Sequence, residues 1–198
     1  MKLKDKTTPN KIQIIFSYSI CLLLLLTYIL MTENAMARKL YRDKTHMLEG
    51  EASWYGGIFN GRKTASGTIY SMHKHTAAHR TLPFGTVLEI TDMETGKKTI
   101  ACITDRGPVY RHRCIDLSYA HAKELDLEER GITDVKMRIV SDTTGKLLNT
   151  NENFYVIFKS QNNEEKVGPF DNFADASTML EILQKTYIQP TIILISQP

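Results

Sequence analysis

The chain has 198 residues, 42% hydrophobic and 24% charged, which fits an ordinary globular protein of one domain or one domain with a small appendix. Its formal net charge is only +3, so nucleic-acid binding has no electrostatic support. No composition bias marks it as fibrous or disordered.

Lys2, Lys4, Lys6 and Lys11 precede an almost wholly apolar or uncharged run from Ile12 to Met31, and Ala35-Met36-Ala37 follows. Basic region, apolar region and small-x-small site make a secretory signal, with cleavage expected after Ala37. The implied location is the periplasm or cell envelope. The run is also long enough for an uncleaved anchor, and only in that case would the chain engage a membrane. Cys21 lies inside the run, with Leu22 to Leu26 behind it, which does not fit a lipoprotein. Removal of the signal leaves Cys102 and Cys114. In an exported protein they are a candidate disulfide, and two small buried thiols are the equal alternative.

Residues 38–48 read as a polar tether. Glu49 to Tyr55 reads as a first strand ended by Gly56-Gly57, with a turn-rich segment after it. Trp54 and Tyr55 beside a glycine loop are candidates for an aromatic wall against a sugar ring. Strand alternation predicts that one of the two packs inward instead. Thr68 to His79 reads as a short strand or loop. Its His73, His75 and His79 have metal-like spacing, but no neighbouring Cys or carboxylate completes a ligand set.

Thr86 to Thr91 and Lys98 to Thr104 read as a hairpin around Asp92–Lys97. The second strand delivers Asp105-Arg106-Gly107-Pro108, a carboxylate and a guanidinium entering a turn that cannot continue a ladder. Ser118 reads as the N-cap of a helix from Tyr119 to Leu125. Asp116 reads first as a further cap and second as a site carboxylate. Gly131 to Val140 is the last strand of this unit, with Val135, Met137 and Ile139 alternating. Residues 141–153 read as a linker. Residues 154–198 form a small unit of two strands, a helix capped by Asp171 or Asn172, and a last strand.

Five blocks carry a resemblance: Gly50-Glu51-Ala52-Ser53-Trp54-Tyr55-Gly56, Thr64-Ala65-Ser66-Gly67, Thr76 to Pro83, Asp105-Arg106-Gly107-Pro108 and Ile115-Asp116-Leu117-Ser118. In this order they resemble the rare lipoprotein A (RlpA) family. The resemblance implies a mainly β fold, a six-stranded double-psi β-barrel with a short helix over residues 49–140. It implies a lytic transglycosylase that cleaves peptidoglycan strands lacking stem peptides to 1,6-anhydro products, with cell-envelope or division proteins as candidate partners. The tail, a small α+β (ββαβ) unit, is similar to a shortened SPOR domain, the peptidoglycan-binding module often attached to this family.

The family's essential polar positions fall on His79 and Asp105, the expected catalytic pair. A third, usually Glu, falls on Thr68, which cannot supply a carboxylate. Trp54, Tyr55, Thr68, Arg80 and Arg106 are the expected substrate contacts. Neither a metal nor an organic cofactor is implied. The alternative to catalysis is a non-catalytic glycan-binding envelope protein.

Overall fold

The computed structural model describes residues 47–161 and 163–197, together with Leu24, Leu25, Thr27 and Tyr28, which are helical. The signal or anchor reading and most of the tether lie outside the described residues. No described helix is long and apolar enough to cross a membrane.

Six strands close a barrel in the order β1-β5-β2-β4-β3-β6. They are β1 (Met47–Trp54), β2 (Thr76–His79), β3 (Val87–Asp92), β4 (Lys98–Asp105), β5 (Arg113–Leu117) and β6 (Ile132–Ile139). The β1–β5 and β2–β4 pairs are parallel and the other four antiparallel. Closure leaves no open edge among these strands. The inward positions are apolar and dry. Ala52, Ala77, Leu88, Ile103, Ile115 and Leu117 are all fully buried in one cluster. Burying them supplies the main drive for closure.

Helix α1 (Tyr119–Glu124) follows β5 directly. Ser118 occupies its N-cap position but makes no side-chain cap bond. Its hydroxyl instead donates to the Lys74 carbonyl (2.6 Å) and pairs with His121 Nδ1 (2.8 Å). The helix start is therefore fixed by tertiary contacts.

The C-terminal ββαβ unit holds β7 (Glu152–Ser160), β8 (Asn163–Phe170), α2 (Phe173–Leu183) and β9 (Thr191–Ser196). Its sheet is antiparallel in the order β8-β7-β9. Asn172 caps α2 by accepting from the Ala174 N–H at 2.8 Å. Barrel and sheet share an apolar cluster in which Val87, Ile100 and Val140 meet Phe154, Phe173 and Ile192. Polar clamps flank it. Arg138 donates to both oxygens of Glu152 (3.1 and 3.0 Å) and to Glu89 (3.1 Å). Glu124 of α1 accepts from the hydroxyls of Thr99 and Thr191 and pairs with His75 Nε2 at 2.7 Å. Gly85 permits close packing of the segment after β6, since a Cβ there would stand 2.0 Å from the Thr143 carbonyl oxygen at φ +86°.

Candidate functional site

The site is built by an interruption in β4. Ala77 pairs with Ile103, but Ala78 pairs with Asp105, so Thr104 is an extra, bulged residue. Without the bulge, Asp105 would share the inward face of Ala101 and Ile103. The bulge turns it outward, and the Thr104 carbonyl accepts from the Ser66 N–H at 3.2 Å. The Thr64–Thr68 loop therefore docks on the bulge. Its Ala65 N–H donates to Asp105 Oδ1 (2.8 Å), as does the N–H of Arg106 (2.8 Å). One carboxylate oxygen is held by two backbone donors. Among the described residues no group hydrogen-bonds Oδ2.

The outward row continues across the sheet. Ala78 pairs with Asp116 on β5, and Asp116 pairs with Ser53 on β1. Ser53, Asp116, Ala78 and Asp105 all line one cleft of about 490 Å³. That volume suits a small ligand or a short stretch of a polymer. Ser53 donates to Asp116 Oδ1, and Arg113 Nη1 donates to Ser53 Oγ at 2.7 Å. The Arg113 Nε lies 3.7 Å from Asp116 Oδ1, and its guanidinium sits 4.6 Å above the Tyr110 ring. Exposed Ile58 and Val109 stand on the rim with Phe59 and Tyr110.

Both Trp54 and Tyr55 line the cleft, although alternation predicts one facing inward. The reason is that β1 ends at Trp54, so Tyr55 escapes the pleat. Trp54 packs on the core and meets Tyr119 at a tilt of 51°, with ring centroids 5.6 Å apart. Tyr55 meets Tyr70 at 4.5 Å and a tilt of 38°. Burial first, then the charges of Tyr70, Asp105 and Asp116, push the Tyr55 hydroxyl upward from its ordinary value.

Of the other expected residues, Arg106 lines the cleft, whereas His79, Arg80 and Thr68 do not. His79 pairs with Ile115, one residue beyond Ala78, so the pleat aims it away from the row. Its Nδ1 accepts the N–H groups of Thr81 (3.2 Å) and Leu82 (3.0 Å). Among the described residues no hydrogen bond joins it to Asp105. Burial, Arg80 and Arg106 lower its pKa, so near neutral pH it is an uncharged imidazole carrying its proton on Nε2. Arg106 turns back over the Phe84 ring (3.7 Å) and donates to the carbonyls of Leu82 (3.0 Å) and His79 (3.3 Å). Arg80 donates to the Arg113 carbonyl. Thr68 is exposed and shares hydroxyl contacts with Thr64 (2.9 Å) and Ser66 (3.1 Å).

Cys102 and Cys114 are free, and the candidate bridge is not formed. They sit on β4 and β5, which flank opposite edges of β2. Burial pushes both thiols up to about 11. His75 is engaged with Glu124 rather than with His73 or His79. Ser53, Tyr70 and Arg113 belong to the cleft and were not expected there, and Asp116 joins them in its second reading, as a site carboxylate. Asp116 alone had a legible signal, a carboxylate just ahead of a helix.

A family described as lytic transglycolase matches residues 47–137. A probable endolytic peptidoglycan transglycosylase RlpA from Aquifex aeolicus is 48% identical over 93 residues, covering 47% of this chain and 41% of the relative. A protein of the same description from Treponema pallidum is 54% identical over 89 residues, covering 45% of this chain and 28% of the relative. The endolytic peptidoglycan transglycosylase RlpA of Neisseria meningitidis serogroup B is 34% identical over 163 residues, covering 77% of this chain and 68% of the relative. The chain thus spans less than half the length of the first two relatives and about two thirds of the third.

Proposed function

The chain belongs to the RlpA family, and on that premise we propose that it is a lytic transglycosylase cleaving peptidoglycan glycan strands, with Asp105 as the acid and base. One observation carries this reading. The β4 bulge presents Asp105 to the cleft with Oδ1 held by two N–H donors and Oδ2 unshared. A fixed carboxyl group beside an aromatic wall is what glycoside cleavage requires.

The step balances without water. Asp105 gives its proton to the glycosidic oxygen as the bond from that oxygen to the anomeric carbon breaks. The 6-hydroxyl of the same sugar attacks the anomeric carbon and closes the 1,6-anhydro ring. Its proton returns to Asp105. Trp54 and Tyr55 offer flat apolar faces to the sugar rings. His79 acts as a positioning residue. Its loop receives the Arg106 guanidinium and so braces the segment that carries Asp105.

The reading places the protein in the cell envelope and prefers glycan free of stem peptides. The test is mass spectrometry of sugars released from stem-free glycan by the purified chain. Anhydro ends are the expected product. Reducing ends would mean attack by water, and sacculus binding without any product would mean a glycan-binding protein instead.

A further inference from the structure

Asp116 is the second carboxylate of the cleft, and the fold treats it unlike a helix cap. It lies three residues ahead of α1 (Tyr119–Glu124), and its Oδ1 is taken by Ser53 from β1 and approached by Arg113. Neither contact belongs to the helix. Its Oδ2 faces Gly107, where a Cβ would stand 3.6 Å from it. Among the described residues no hydrogen bond reaches Oδ2. Asp116 thus repeats the arrangement of Asp105, with one oxygen held and one unshared, on the same cleft wall.

The spacing between the two follows from the register. Both are cross-strand neighbours of Ala78, which carries only a methyl group. Two strand spacings put their Cα atoms roughly 10 Å apart. That is too far for the carboxyl groups to share a proton, and wide enough for the edge of a sugar ring to lie between them over Ala78. The Thr68 hydroxyl supplies no negative charge on the other side of the Thr64–Thr68 loop. The positive charge that builds on the ring during cleavage therefore has Asp116 as its nearest second anion in the cleft.

We infer that Asp116, held by Ser53 and Arg113, is a catalytic residue that stabilises the oxocarbenium-like charge on the sugar while Asp105 moves the proton. This rests on the transglycosylase reading. Asp116 forms no bond to the sugar and transfers no proton. Its action is electrostatic, from a carboxylate fixed before the reaction, and such preorganised groups are worth about 10²–10³-fold in kcat. Arg113 has two tasks, orienting Asp116 through Ser53 and holding the Tyr110 ring at the rim of the cleft.

The test measures anhydro-product release from stem-free glycan by the full chain, by Asp116→Asn and by Asp105→Asn, with kcat and KM determined separately. Asp116→Asn is expected to lower kcat by about 10²-fold or more while KM stays within about threefold. A merely structural role would not produce that split. Asp116→Asn leaves Arg113 without its anion, so the double variant Asp116→Asn/Arg113→Gln removes both charges and guards against misfolding. It is expected to show the same loss of kcat, with the circular dichroism of the folded chain retained. Wild-type kcat in either variant would overturn the inference while an inactive Asp105→Asn left the transglycosylase reading standing. A wild type that releases nothing would overturn both.

Discussion

The N–H of Ala65 donates to Oδ1 of Asp105 across 2.8 Å, although 40 residues separate the two in sequence. The loop that carries Ala65 reaches the carboxylate because the bulge at Thr104 offers it a carbonyl to dock on. The site is therefore a joint between a turn-rich loop and a broken strand ladder.

The same joint gives Arg106 its task. The guanidinium lies over Phe84 and serves two carbonyls of the 79–84 loop. Arg106→Ala is expected to cost about 1–2 kcal/mol of stability, from a lost cation–π contact and two lost hydrogen bonds. Urea denaturation reads that number. KM is expected to stay unchanged, whereas a direct substrate contact would raise it.

Thr68 bears on the chemistry in a different way. It is exposed, and its hydroxyl is spent on Thr64 and Ser66. With Asp116 supplying the second negative charge, Thr68→Glu is expected to change the rate of anhydro-product release by less than about tenfold, or 1.4 kcal/mol. Initial rates on the same glycan measure it. Activity arising in an otherwise inert protein would show instead that the carboxylate at 68 is indispensable.

Acid should weaken the join between barrel and C-terminal sheet. His121 is fully buried, and burial followed by the neighbouring His75 lowers its pKa to about 3. Burial acts against the Glu124 charge, but His75 first, then His121 and Thr191, bring that carboxyl down to about 2. A depressed folded-state value means that the unfolded chain binds the proton first. The His121 contribution is intact above about pH 6.5 and is lost as pH falls toward 3. The Glu124 contribution is intact above about 4.5 and is lost toward 2. Thermal or urea unfolding between pH 7 and 4 should show stability falling by on the order of 3 kcal/mol. His121→Asn should flatten the upper part of that fall.

A buried ion pair away from the cleft sets the cost of breaking the barrel. The Asp92 side chain is fully buried and accepts from Arg130, Thr133 (3.0 Å) and the Glu94 N–H (2.8 Å). These contacts outweigh its burial and hold its carboxyl down at about 2. Arg130→Ala strands that charge and is expected to cost about 3 kcal/mol or more. Arg130→Lys is expected to recover only part of it, because one ammonium cannot serve Asp92, Glu94 and the Leu125 carbonyl together. Chemical denaturation of the two variants makes the comparison.

The barrel was legible because its strands alternate and its five motif blocks are local. Asp105 was legible for the same reason, since a carboxylate at the end of an apolar strand is a local signal. Its neighbours were not. The bulge at Thr104 has no residue signature, yet it decides which face Asp105 takes. Asp116 reads locally as a cap before it reads as a site carboxylate, and its pairing with Ser53, 63 residues away, decides for the cleft. His79 reads as a site residue because its motif is strong, while the pleat turns it from the row. Strand β5 hides behind Arg111, His112 and Arg113, and β1 skips over Cys114 in pairing with it. The contact between Glu124 and Thr191 spans 67 residues and has no local trace.

The transglycosylase reading requires that Asp105, aimed into the cleft by the β4 bulge, moves the proton. The most direct test compares anhydro-sugar release from stem-free glycan by the wild type and by Asp105→Asn, with sacculus binding measured alongside. A loss of at least about 10²-fold in release with binding retained is expected, the range of a lost general acid and base. Release at the wild-type rate from Asp105→Asn would contradict it.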